Sequence, residues 1–254
     1  MRPCFRTCTP AVLLALSVAA FAQDDRERHV VPLDGAFIQF HGGNLDADWK
    51  ATWTRMVAAD MRTILIQYLK HDDVEFIRTE NDPTQRILEL SDEHNRAAGP
   101  AHQVRVFIGL CNFSNWRGGR GKDAAETQRR MAKARAECTA LAGRVKERYG
   151  KYVSFYGWYV PMEGDNCYDP DDVATLGAAH DLYRDIVLEC RRLLDKPVAI
   201  SAFFNADCVN PVQTARAYAR ILAGSGLRYL LLQDGVGERK WDDQIQAKIA
   251  PYFE

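Results

Sequence analysis

Six short β-rich runs alternate with amphipathic segments along most of this chain, and that alternation limits its fold more than any single residue does. The runs are "GAFIQF" (35–40), "TILIQYL" (63–69), "RVFIGLC" (105–111), "SFYGWYVPME" (154–163), "PVAISAFFN" (197–205) and "YLLLQDGVG" (229–237). Between them, "DADWKATWTRMVAADM" (46–61) sets Trp49, Trp53, Met56, Val57 and Met61 at three-to-four spacing, the mark of one buried helical face. Segments 82–99, 123–150, 169–194 and 210–226 repeat the device. Asp-Pro or Asn-Pro opens three of these four, as helix-start chemistry requires. Strand, helix, strand in succession predicts a parallel sheet with helices outside it. The runs are apolar on both faces, which argues against a half-solvated antiparallel sheet. No G-x-G-x-x-G follows the first strand, so a dinucleotide fold loses its main support and a (β/α) barrel of the TIM type leads.

The N-terminus reads differently. Arg2 and Arg6, an apolar stretch from Ala11 to Phe21 and the small residues Ala20 and Ala22 predict a secretory signal over 1–22, a lead-in over 23–33 and one barrel domain over 34–254. The apolar stretch is short for a membrane span of about 20 residues, so a periplasmic or secreted protein is expected, with an uncleaved anchor as the alternative. Its 33 basic residues nearly balance 34 acidic ones, which gives no field to attract nucleic acid. Five cysteines remain after the signal, an odd number. Cys167 and Cys208 each follow a strand by a few residues, so they are candidates for a disulfide if those strands are neighbours, while Cys138 and Cys190 read as buried small hydrophobes within helices.

Polar residues gather where the runs end: Gln39, His41, Gln67, Tyr68, Asn112, Glu163, Asn205, Gln233 and Asp234. A parallel barrel collects those ends at one mouth, where its active sites are built. Each could instead finish a strand and bond a turn, but an unpaired buried amide costs about 1–3 kcal/mol, which makes three glutamines among aliphatics costly without a pocket. Alternation places Glu163 on the face of Tyr159 and Gly157, provided Pro161 introduces no bulge that changes parity. "NFSNWRGGRGKD" (112–123) offers Trp116 as a ring for a sugar or as part of a lid; an exposed loop is the alternative. "HDD" (71–73) reads as a solvated loop, since neither a helix-spaced His pair nor a facial triad points to a metal. No cofactor motif is present.

Together "GAFIQF", the tryptophan-bearing first helix, "TILIQY", "FYGWYVPMEGD" and "LLQDGVG" resemble the bacterial family called domain of unknown function 4434, a TIM-barrel group similar to glycoside hydrolases, from about Asp34 to the chain end. The resemblance implies a carbohydrate ligand and O-glycoside hydrolysis of a poly- or oligosaccharide. It places the acid/base glutamate at the end of the fourth strand, Glu163. Gln39, Gln67, Tyr159, Gln233 and Asp234 match motif positions expected to line the pocket. The family pattern continues to a seventh strand ending in tryptophan and glutamate, and an eighth. This sequence ends at "IAPYFE", so six strand-helix units are visible of the eight that close a barrel. Three explanations stand: a truncated sequence, a sheet completed by another chain through self-association, or a degraded copy. Hydrolysis normally uses two carboxyl groups. Asp234 is the first candidate for the second, with Asp165 and Asp207 behind it. A non-catalytic carbohydrate-binding barrel is the other reading of the same residues.

Overall fold

The computed structural model describes residues 34–116, 119–121, 123–203 and 210–233, with only the backbone of Gln233. Asn205, Asp207, Cys208, Asp234 and the expected signal lie outside the described residues. A six-stranded parallel sheet organises the chain in the order β1 (Gly35–Ile38), β2 (Thr63–Ile66), β5 (Arg105–Gly109), β7 (Phe155–Asp165), β8 (Val198–Phe203) and β9 (Tyr229–Gln233). The helices α1 (Trp49–Ala58), α2 (Pro83–Ala97), α3 (Ala124–Tyr149), α4 (Val173–Leu193) and α5 (Pro211–Leu222) fall between successive strands of that sheet. The fold is α/β, with the parallel sheet curved into part of a TIM-type barrel.

Local chemistry starts every one of these helices. Asp48, Asp82, Asp123, Asp172 and Asn210 each accept a hydrogen bond from the backbone N–H three residues on, at 2.7–3.1 Å. That satisfies a donor which the first helical turn otherwise leaves without a partner. In "DPDDV" the helix begins later than the Asp-Pro signal implies. Asp169 accepts from the Asp171 N–H at 2.9 Å and turns the chain, so Asp172 becomes the cap.

Two apolar clusters define the faces of the sheet. Ile38, Ile64, Ile66, Val106, Ile108, Trp158, Val160, Val198 and Ile200 pack with helix residues such as Ile87, Leu141, Leu182 and Ile186. The opposite, concave face carries Leu65, Phe107, Tyr159 and Ala199, with Phe37, Tyr156 and Leu231 packed against them. Truncating a fully buried aliphatic in such a core to alanine typically costs about 2–5 kcal/mol.

Strand β7 is irregular in two places. Val106 pairs with Phe155 but Phe107 pairs with Gly157, so Tyr156 is one extra residue there. Further on, Val160 pairs with Ile200 and Gly164 with Ala202: four steps along β7 match two along β8, a bulge of two residues. An even insertion restores the alternation. Glu163 therefore stays on the concave face with Tyr159, while Met162 joins the helix-side core.

A second, small sheet has the order β4 (Val74–Glu75), β3 (Lys70–His71), β6 (Cys111–Asn112). The "HDD" segment is thus the tip of a tight hairpin rather than a free loop. Asp72 adopts φ 50°, a conformation that aspartate tolerates in turns, and its carboxylate accepts from both the N–H and the hydroxyl of Ser114. Gly109 permits the neighbouring approach: a Cβ there would lie 2.0 Å from the carbonyl oxygen of Gln67. Cys111, Cys138 and Cys190 are free and buried. Cys167 is disulfide-bonded; Cys208, the candidate partner, lies outside the described residues.

Candidate active site

Beyond the carboxyl ends of β2, β5, β7 and β8 the structure leaves a cavity of about 370 Å³. Gln67, Asn112, Trp116 and Glu163 line it together with Asp165, Phe113, Ser114, Pro161, Gly164 and Phe203. Gln67 reaches the wall from the end of β2, Asn112 from β6, and Glu163 and Asp165 from the far end of β7. The long fourth strand of the main sheet carries both carboxylates beyond the end of β5, with Asp165 level with Phe203 at the end of β8.

Glu163 is held at both its backbone and its side chain. The Trp116 indole N–H donates to its carbonyl oxygen at 2.9 Å, and the Ser201 hydroxyl donates to Oε1 at 3.3 Å. The Tyr183 hydroxyl donates to the adjacent carbonyl of Met162 at 2.8 Å, fixing the bulge from the helix side. Asp165 is engaged differently: both its oxygens accept from Arg120, each at 2.6 Å, and Oδ1 also accepts from the Cys167 N–H at 3.0 Å. Such a bidentate, charge-assisted pair fixes orientation as well as charge. Arg120 also lies over the Tyr168 ring, 5.4 Å from its centroid.

The glycine-rich segment that carries Trp116 and Arg120 is tied down wherever it is described. Arg130 on α3 donates to the carbonyls of Asn115 and Arg120, both at 3.1 Å, and the Gly121 N–H donates to the Thr127 hydroxyl at 2.9 Å. Trp116 is almost fully buried, so it offers the cavity an edge rather than an open face.

The other sequence-selected residues lie elsewhere. Tyr159 is wholly buried beneath the cavity, its ring in edge contact with Phe37. Tyr68 is buried as well, stacked on His71 and hydrogen-bonded by the side-chain amide of Gln39. Burial raises the Tyr68 phenol above its ordinary range, against the opposing effect of the Gln39 bond. Gln39 and His41 are exposed near the end of β1, where Asn44 ties their backbones together. Gln233 is at the end of β9, its backbone in register with Phe203.

Two contributors were not singled out from sequence. Ser201, two residues after Ala199, is the polar residue on the inner face of an otherwise apolar run, the same signal that marked the glutamines. Arg120 had no such signal, because its partner Asp165 is 45 residues away.

A larger cavity of about 600 Å³ lies between the N-terminal ends of α1 and α2. Many of its polar groups are already committed: Asp48 and Asp82 cap helices, Asp46 binds Arg78 and Gln85 donates to Glu89. Among the described residues no group of three or more His, Cys, Asp or Glu side chains could hold a metal ion. No helix among them is long and apolar enough to cross a membrane.

The same architecture recurs in solved structures. A "putative alpha-L-fucosidase" from Bacteroides thetaiotaomicron VPI-5482 superposes with a TM-score of 0.60 at 17% identity, over 86% of this chain and 70% of that one. The intracellular xylanase of Thermoanaerobacterium saccharolyticum JW/SL-YS485 gives 0.44 at 12% identity, over 85% and 68%. A GH2 beta-galacturonidase from Eisenbergiella tayi gives 0.40 at 12%, over 78% and 34%. At these identities the likeness concerns the fold, and only the first score supports even that. No curated protein matches the sequence. The family model described as Domain of unknown function (DUF4434) matches residues 33–253, nearly the whole chain, and the protein belongs to that family.

Proposed function

We propose that this protein is an exported glycoside hydrolase acting on a poly- or oligosaccharide, with Glu163 as general acid/base. One observation carries the reading: a single cavity at the strand ends gathers a glutamate, two amides and a tryptophan from separate segments. In this reading the Glu163 carboxyl protonates the glycosidic oxygen as the bond breaks and later takes a proton from water. Gln67 and Asn112 hold sugar hydroxyls, and the Trp116 edge borders a ring. Asp234 is proposed as the second carboxylate. The signal-like N-terminus supports export to the periplasm or medium. No cofactor enters the scheme.

A second reading is favoured by the state of Asp165. With both oxygens bound to Arg120, this carboxylate is a structural member of the wall, which suits a carbohydrate-binding barrel lacking a nucleophile. The Glu163→Gln variant separates the two. Assayed on a panel of 4-methylumbelliferyl glycosides and by reducing-sugar release from polysaccharides, an acid/base role predicts loss of turnover by about 10²-fold or more, with sugar affinity on a glycan array retained. Undiminished turnover in Glu163→Gln refutes the assignment. Array binding without any turnover by the wild type selects the binding barrel.

A further inference from the structure

The floor of the cavity contains a hydrogen-bonded chain that the hydrolytic reading does not by itself require. Tyr159, on the concave face of β7, is fully enclosed by Phe37, Leu65, Phe107 and Ala199. Its hydroxyl lies 2.6 Å from the hydroxyl of Ser201, which is itself fully buried on β8 and 3.3 Å from Oε1 of Glu163. Side chains from two neighbouring strands thus run in line from the apolar interior to the carboxylate.

The direction of the chain follows from the chemistry of its ends. Burial, reinforced by the nearby Glu163 charge, pushes the Tyr159 phenol far above its ordinary range, so it keeps its proton. A buried phenol must donate that proton or leave it unsatisfied, and the Ser201 oxygen is its hydrogen-bond partner. Ser201 has one hydrogen of its own. Because its oxygen accepts from Tyr159, that hydrogen goes to the carboxylate, which as an ion can only accept. Both hydroxyls therefore orient toward Glu163.

We propose that Tyr159 and Ser201 form a positioning relay that fixes the Glu163 carboxyl against the cavity floor and lowers its proton affinity, so that it releases its proton readily to the glycosidic oxygen. The proposal rests on the acid/base reading of Glu163 and deepens it by naming what sets that group's protonation. Neither hydroxyl touches substrate: Tyr159 is sealed below the cavity and Ser201 acts from beneath the carboxylate. Trp116 fixes the backbone of the same residue from the opposite loop, so main chain and side chain have separate supports.

Other charged or titratable groups also face Glu163. Asp165, two residues along β7, is paired with Arg120 from the loop before α3. Tyr168, Tyr183 on α4 and Tyr218 on α5 stand behind the bulge, their phenols raised by burial and hence neutral. A hydroxyl donor to a carboxylate lowers the carboxylate's proton affinity. Removing it raises the Glu163 midpoint whatever the fixed background of these neighbours.

The test reads Glu163 directly, without needing a substrate. Protein labelled with 13C at the glutamate carboxyls is titrated by NMR, and the Glu163 signal is identified by its loss in Glu163→Gln. Ser201→Ala is expected to raise the Glu163 midpoint by about one pH unit. Tyr159→Phe raises it less, because the serine hydroxyl remains but is no longer polarised. Ser201→Thr, which keeps the hydroxyl, restores the wild-type value. The double variant Tyr159→Phe/Ser201→Ala leaves neither hydroxyl orphaned, so it repeats the Ser201→Ala shift even if that single variant is too unstable to titrate. An unmoved or lowered midpoint in Ser201→Ala or in the double variant overturns the relay. If Glu163→Gln retains full turnover while Ser201→Ala moves the midpoint, the relay stands and the hydrolase reading falls. Turnover lost in Glu163→Gln with an unmoved midpoint in Ser201→Ala keeps the hydrolase reading and removes the relay.

Discussion

Replacing Asp82 with alanine tests how the N-terminal half of the molecule is fastened to α3. The Asp82 side chain is 2% exposed and serves three partners. Oδ1 accepts from the Gln85 N–H at 3.1 Å as the α2 cap. Oδ2 accepts from the Tyr149 hydroxyl at 2.6 Å and from Arg148 Nε at 2.8 Å, both at the end of α3. Loss of the cap costs about 1 kcal/mol, and the stranded, fully buried Tyr149 hydroxyl costs about 1–3 kcal/mol. Arg148 is 28% exposed and can recover water, so its lost pairing adds about 1 kcal/mol at most. The expected loss is about 2–5 kcal/mol, read as a Tm lower by about 10 °C for a domain of this size. Urea unfolding followed by circular dichroism measures it. Asp82→Asn keeps the cap and the volume and should lose less than half as much. A loss below about 1 kcal/mol in Asp82→Ala, or equal losses in the two variants, would refute the three-partner account.

Acid sensitivity and one buried hydroxyl supply the remaining tests. The backbone N–H of Thr175 holds the Asp172 carboxyl below its ordinary value, so the unfolded chain binds its proton more tightly than the folded one. That contribution is present above the unfolded pKa and is lost as pH falls below about 4. Asp172→Asn, which can still cap, should match the wild type at neutral pH and show a shallower acid limb in urea titrations; an unchanged limb contradicts the sign. The Tyr218 hydroxyl is buried with no hydrogen-bond partner, so Tyr218→Phe is expected to hold or raise the Tm, by up to about 1 kcal/mol in stability. A clear fall in Tm would show that the hydroxyl is satisfied.

What could be read from sequence was local, or repeated often enough to rise above the local. Helix starts were legible because an Asp or Asn side chain acts on a backbone group three residues away, and they were misplaced by a few residues only where aspartates crowd: in "DADW" Asp48 rather than Asp46 caps, and in "DPDD" Asp172 rather than Asp169 does. The parallel sheet was legible because each run is apolar on both faces. Strands β3, β4 and β6 were not, since two residues carry no period. Gln67, Asn112 and Glu163 were marked as polar residues at strand ends and Trp116 as a ring in the glycine-rich loop, and the cavity brings these four together. Tyr159 was marked by sharing a face with Glu163, but whether a tyrosine lines a cavity or lies beneath it depends on the depth of neighbouring strands, which no spacing records. The Arg120 and Asp165 pair and the turn of Asp72 toward Ser114 join distant segments and emerge only from the assembled fold.

The two-residue bulge in β7 also limits how this lineage can change length. A single insertion or deletion between Val160 and Gly164 would turn Glu163 out of the cavity and toward the helices, exchanging its place with Met162. Changes in pairs leave the facing intact and alter only how far the carboxylate projects above the sheet. A change of length at this point would therefore keep the site only in steps of two: odd steps would abolish it, and even steps would set its height relative to Gln67 and Asn112. Depth of substrate seating can then be adjusted without redesigning the wall around it.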